Sequence, residues 1–126
     1  MGYKFGNTSA RRLATTKPNV QDIMNEAIKT SPMDFGIPNL GGFREVSEQA
    51  ELFEQGHSQC DGYTKLSRHQ SGNAVDIFAY VKGKASWDEK HLYMLAGHII
   101  STAERLGYRV RWGGDWDGDR DFDDQT

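Results

Sequence analysis

Cysteine occurs once, as Cys60, in a chain of 126 residues. A single cysteine excludes an internal disulfide framework and a zinc knuckle built on cysteine pairs. No apolar run approaches the roughly 20 residues of a membrane span, which excludes stable insertion of a helix in a bilayer. Met1 to Ala10 is polar and carries no apolar core, so no secretory signal is visible and synthesis in the cytoplasm is expected. A large excess of one charge is also missing. The net charge is −3, which gives no general drive toward nucleic acid or anionic lipid. Internal repeats and low-complexity linkers are absent too, and the length is that of one domain.

What is present is a globular composition, with 37% hydrophobic and 26% charged residues. Charge is unevenly spread. Six aspartates (Asp115, Asp117, Asp119, Asp121, Asp123 and Asp124) fall in the last twelve residues. They resemble a calcium loop only superficially, because Arg120 stands where the turn glycine belongs and Thr126 where the bidentate glutamate belongs.

Periodicity sketches the elements. Residues 1–15 show none and read as an extended entry segment. Thr16-Lys17-Pro18 opens a helix whose apolar face is Val20, Ile23, Met24, Ala27 and Ile28, and Ser31-Pro32 closes it. Phe35, Ile37 and Leu40 lead as a short strand into a tight backbone approach at Gly41-Gly42. Val46 to Gln55 reads as a second helix, capped by Ser47 and stopped by Gly56. Residues 57–73 form a long polar loop, a length associated with function. Ala74 to Val81 reads as a buried strand and Lys82-Gly83-Lys84 as a turn. Ser86 and Glu89 form a capping box for a helix carrying Leu92, Leu95, Ala96, Ile99, Ala103 and Leu106, ended by Gly107. Tyr108 to Trp112 alternates as a last strand. The sum is a small single α+β domain, a short antiparallel sheet against about three helices.

Asp76 stands out, a carboxylate in an otherwise apolar run. Burial without a partner costs several kcal/mol, so an arginine or lysine, several N–H donors or a metal must compensate it. A structural salt bridge satisfies that requirement as well as a metal does. His69 lies seven residues earlier, with Gly72 between them to bend the loop back. Imidazole and carboxylate are ordinary zinc ligands, but a catalytic zinc takes about three protein ligands and one open position.

Ser67-Arg68-His69-Gln70-Ser71-Gly72-Asn73-Ala74-Val75-Asp76 resembles the S-x-H-x-x-G-x-A-V-D signature of the VanY-like zinc peptidases. These are D-alanyl-D-alanine carboxypeptidases and the L-alanyl-D-glutamate endopeptidases of phage lysis enzymes. Asp34-Phe35-Gly36, Gly42-Phe43-Arg44 with Glu48-Gln49 and Leu52-Phe53, and Arg111-Trp112-Gly113-Gly114-Asp115-Trp116 resemble the endopeptidase branch. The resemblance implies a hedgehog/D-Ala-D-Ala peptidase-like fold and a Zn2+ cofactor held by His69 and Asp76. It implies Arg44 as the cation beside the substrate carbonyl and Ser67 as the signature serine supporting the site. Arg44 is otherwise an arginine capping a turn. Trp116 is a candidate substrate-binding aromatic, while Trp112 reads as core.

One element departs from the family. An acid-x-x-His motif that brings the third ligand and the general base is expected after Trp116, yet no histidine follows His98. The expectation is therefore a single catalytic domain over 1–126, cut short before that motif. His57, His91 and His98 read as solvated or satisfied side chains and Cys60 as an incidental thiol. The expected activity is hydrolysis of the L-alanyl–D-glutamate bond of the bacterial peptidoglycan stem peptide, by a monomeric phage endolysin reaching the wall after membrane permeabilisation. A D-alanyl-D-alanine carboxypeptidase is the nearest alternative. A catalytically dead wall-binding module without the third ligand is the alternative of another class.

Overall fold

The computed structural model describes residues 2–110. The order of elements is α1 (Asn7–Leu13), α2 (Pro18–Thr30), β1 (Asp34–Gly36), α3 (Val46–Glu54), a 3-10 turn (Arg68–Ser71), β2 (Phe78–Val81), β3 (Lys84–Ser86) and α4 (Glu89–Leu106). The three strands form one antiparallel sheet in the order β1-β2-β3. Phe35 lies opposite Ala79 in one ladder, and Ala79 lies opposite Ser86 in the other. This is the expected α+β architecture, with four helices rather than about three.

The core forms where α2 and α4 pack together and against the inner face of the sheet. Ile23, Met24, Ala27 and Ile28 come from α2, Leu92, Leu95 and Ala103 from α4, and Phe35, Ile37, Ile77 and Ala79 from the strands and their flanks. The apolar stripe on each helix is the physical reason both dock there. Pro18 occupies the first turn of α2, and Ser31, extended because it precedes Pro32, ends it. α4 stops at Gly107, as its sequence implies.

Several local expectations are corrected. Residues 7–13 are helical, not extended. Their burial is confined to Ser9 and Leu13, too sparse a pattern to register as periodicity. Glu45, not Ser47, caps α3, by a reciprocal box with Glu48. Asp88, not Ser86, caps α4 and accepts from the Lys90 N–H. Ser86 instead accepts from the Asp88 N–H at 3.2 Å. The run 74–81 is a strand only over Phe78–Val81, because residues 74–77 lack a ladder partner, and the Asp76 N–H goes to the Gly41 carbonyl instead. Tyr108 to Val110 form no strand, the Tyr108 N–H closing α4 on the Ala103 carbonyl at 2.8 Å. Arg111 and Trp112 of the last expected strand, Trp116, and the acidic tail lie outside the described residues.

The glycine approach that positions the site is real. A Cβ on Gly42 would stand 2.4 Å from Thr15 Oγ1 and 2.5 Å from the Arg12 carbonyl oxygen. The Phe43 N–H then donates to Thr15 Oγ1 at 2.9 Å, and the Arg12 guanidinium donates to the Ile37 carbonyl at 2.8 Å. The end of α1 thus grips the segment 37–43. Gly42→Ala is expected to destabilise the fold by about 1–3 kcal/mol through this overlap, seen as a lower urea midpoint at unchanged slope.

Candidate functional site

The loop 57–73 is ordered by polar contacts rather than by a core. The Asp61 carboxylate accepts from the N–H groups of Tyr63, Thr64 and Lys65, each at 2.9 Å. These bonds, led by the one from Lys65, hold its pKa well below the usual carboxylate range. The loop ends in the 3-10 turn. Ser67 Oγ accepts from the His69 N–H at 3.2 Å, and the Ser67 N–H donates to Gln70 Oε1 at 2.9 Å. Gly72, with φ of 78°, takes the left-handed conformation that turns the chain back after His69.

His69 is 2% exposed, and its Nδ1 lies 2.8 Å from the Gly42 carbonyl oxygen. A carbonyl only accepts, so Nδ1 carries the hydrogen and the lone pair of the neutral ring sits on Nε2. That Nε2 faces Asp76 Oδ1 at 3.3 Å. A lone pair and a carboxylate oxygen at that separation repel unless a proton or a metal ion lies between them. Two donors about 2.0–2.1 Å from one tetrahedral zinc stand about 3.4 Å apart, so the pair has the spacing of adjacent ligands.

The other carboxylate oxygen, Asp76 Oδ2, accepts from Arg44 Nη2 at 2.9 Å. Burial pushes the Asp76 carboxyl up, but a proton on His69 Nε2, standing where a metal ion would otherwise sit, and the Arg44 guanidinium together outweigh it and hold the group below its ordinary value. Arg44 is fixed on its other edges. Nε donates to the Leu40 carbonyl at 2.8 Å and Nη1 to Gln49 Oε1 at 2.9 Å. Burial draws the guanidinium below its usual value, an effect that Asp76 partly offsets. Three of the five N–H donors of Arg44 are thereby committed to protein, and two remain for a substrate oxygen.

The structure therefore gathers Arg44, His69 and Asp76, with Ser67 behind His69 shaping its turn. Among the described residues no third histidine, cysteine, aspartate or glutamate joins them. His98 is engaged elsewhere, with Nε2 2.9 Å from the Ala27 carbonyl at the end of α2, and His91 Nδ1 lies 2.8 Å from Ser86 Oγ. The Cys60 thiol is buried, and that burial raises its pKa, which suits an inert side chain better than a nucleophile. Asp76 stands just ahead of β2 rather than inside a strand, and its side chain keeps 22% exposure, so the carboxylate is largely but not wholly removed from solvent.

Two contributors escaped the sequence. Gln49 is fully buried and spans the site's floor, donating to Ser58 Oγ and the Cys60 carbonyl, each at 2.8 Å, while it accepts from Arg44. A polar residue on the inner face of α3 was the available signal. The Gly42 carbonyl, which sets the His69 tautomer, leaves no signal in side-chain identity.

The fold thus sets a histidine–carboxylate pair beside a buried arginine. Comparison with known proteins identifies the class. The family model for phage L-alanyl-D-glutamate peptidase matches residues 1–126. The L-alanyl-D-glutamate peptidase of Escherichia phage T5 is 33% identical over 126 residues, covering 99% of this chain and 90% of that protein. The peptidoglycan L-alanyl-D-glutamate endopeptidase CwlK of Bacillus subtilis is 29% identical over 110 residues, covering 77% of this chain and 65% of that protein. The crystal structure of the Serratia marcescens L-Ala D-Glu endopeptidase ChiX superposes with a TM-score of 0.78 at 30% identity, covering 91% of this chain and 82% of that one. The chain belongs to the phage L-alanyl-D-glutamate peptidase family.

Replacing Gln49 by Leu is expected to cost about 1–3 kcal/mol in urea unfolding, since it strands the Arg44 donor and the loop acceptors in a buried place. Without metal, the stability contributed by the depressed Asp76 carboxyl is fully present above the unfolded value of about 3.9 and is lost as pH falls through the lower folded value. Asp76→Asn should therefore flatten the acid limb of a stability-versus-pH curve measured in chelator.

Proposed function

We propose that this chain is a zinc-dependent peptidase that cleaves the L-alanyl–D-glutamate bond of the peptidoglycan stem peptide and serves a phage as its endolysin. The observation that carries the reading is the 3.3 Å approach of His69 Nε2 to Asp76 Oδ1 with the opposite ring nitrogen tied to the Gly42 carbonyl. An imidazole whose free lone pair is aimed beside a carboxylate by a backbone acceptor is the usual arrangement of a metal-ligating histidine and its outer support.

In this reading His69 and Asp76 hold the ion. The chemistry that such an ion supplies when bound is polarisation of a carbonyl and acidification of water to a pKa of about 7. Arg44 does two things. It neutralises and orients Asp76, and its two remaining N–H groups are left to donate to the charge that develops on the scissile carbonyl oxygen. Ser67 is a positioning residue, setting the 3-10 turn that carries His69. Trp116 is kept as a candidate contact for the stem peptide. The third ligand and the general base are not among these residues. The place of action is the cell wall, and no helix among the described residues is long and apolar enough to cross a membrane. The single catalytic domain works as a monomer in this reading.

The test is a digest of purified peptidoglycan by the full chain, with zinc and with a chelator, new amino termini being read by mass spectrometry. The expected result is release of D-glutamate amino termini that the chelator abolishes and that His69→Ala and Asp76→Ala each reduce by at least about a hundredfold. Cleavage that ignores the chelator, or cleavage between D-alanines, overturns the reading. A folded chain that binds the wall without cutting it points instead to a binding module.

A further inference from the structure

From Ile77 to Val81 the side chains alternate. Ile77 and Ala79 are buried in the core, while Phe78 is half-buried and Tyr80 exposed on the opposite face. Asp76 precedes Phe78 by two residues, and although it lies ahead of β2 the burial alternation continues through it, with Ile77 buried and Asp76 partly exposed. Trp87 joins Phe78 and Tyr80 from the end of β3. The register that sets Ala79 opposite Ser86 brings Trp87 level with Phe78, and their ring centroids are 5.6 Å apart at 39°. Phe78 and Tyr80 meet edge to face at 4.9 Å. Their rings lie over Gly36, where a Cβ would stand 3.0 Å from Phe78 Cζ and 3.3 Å from Tyr80 Cε2. The result is a supported aromatic platform on which Trp87 keeps 58% exposure and Tyr80 37%.

Such rings in the open, each braced by another, form a stacking surface rather than a fragment of core. Tyr80 also lines a cleft of about 600 Å³ whose walls include Tyr3, Asp34, Lys82 and His91. Stacked rings suit a sugar face, and at the Tyr80 end, the one platform ring that lines this cleft, a carboxylate, an ammonium and an imidazole can bond hydroxyl and acetamido groups. We infer that the platform of Phe78, Tyr80 and Trp87 is a saccharide subsite that binds the amino-sugar to which the stem peptide is attached. This rests on the proposed action at the L-alanyl–D-glutamate bond. In peptidoglycan that L-alanine is the residue joined to the glycan, so only one residue separates the scissile carbonyl from the sugar linkage. One extended residue spans about 3.5 Å, and successive same-face residues of a strand are about 7 Å apart. With the amino-terminal side of the stem running along β2, the sugar falls within reach of the first rung, Phe78 with Trp87, and a second sugar within reach of Tyr80.

The test compares two substrates of the full chain, the stem peptide free and the stem peptide carried on its disaccharide. The expected result is that kcat/KM favours the disaccharide form, chiefly through KM, and that Trp87→Ala lowers this preference about tenfold while Trp87→Phe retains most of it. A preference that survives Trp87→Ala and Tyr80→Ala, or an equal loss on both substrates, overturns the inference. If the chain cleaves neither substrate, the proposed activity fails, and the platform is judged by titrating the disaccharide alone against tryptophan fluorescence. A saturable change lost in Trp87→Ala upholds it, and no saturable change overturns it.

Discussion

The Asp76 carboxylate is the constraint on which the rest of the site depends. It leaves most of its hydration when the chain folds, and an uncompensated carboxylate would take up a proton or forbid the fold. Its two oxygens meet different neighbours. One faces a permanent cation, Arg44, and the other faces the lone-pair nitrogen of His69. Arg44 compensates one oxygen, and the oxygen beside His69 needs a proton or another cation between the two groups. A purely structural ion pair has no need of a buried imidazole whose tautomer is chosen by the Gly42 carbonyl.

That arrangement makes heavy demands on the backbone around it. The Gly41 carbonyl accepts from the Asp76 N–H, the Gly42 carbonyl from His69 Nδ1, and the Leu40 carbonyl from Arg44 Nε. The Arg44 N–H in turn donates to the His69 carbonyl. Three of these links tie the segment 40–44 to the 3-10 turn and to the run before β2, and the fourth, from Arg44 Nε to Leu40, braces the segment internally. A rigid acceptor frame of this kind is what holds ligands at productive geometry. Gln49 extends the frame into α3 and the loop 57–73, which has little apolar content with which to hold itself.

Much of this was legible in the residues. Asp76 betrayed itself as a charge in an apolar run, Gly72 as the bend before it, and Gly42 as a close approach, because each breaks a local rule and so needs a reason. The two long helices were legible because their apolar stripes are unambiguous. What stayed hidden depends on partners distant in sequence. The end of β2 at Phe78 is set by where β1 runs out, and α1 buries too few side chains to leave a stripe. The caps at Glu45 and Asp88 displaced the neighbouring serines because the carboxylates reach the open N–H groups from the geometry that the preceding turns impose. The role of the Gly42 carbonyl is a backbone property and has no residue-type signature.

The same period-2 alternation governs the core and the chemistry. Ile77 and Ala79 can enter the core only if Asp76, Phe78 and Tyr80 turn the other way. A slip of one residue in the pairing of β2 would bury the carboxylate and both rings and expose two core residues. The hydrophobic drive to bury Ile77 and Ala79 is also the force that keeps Asp76 partly exposed and lines up the rings beyond it. Asp76, just ahead of β2, and Phe78 and Tyr80 within it are thereby presented without any additional element. This arrangement also accounts for β3, a strand of three residues at the sheet's edge that contributes little to the core. Its hairpin pairing brings Trp87 level with Phe78 and so completes the surface that begins at Asp76.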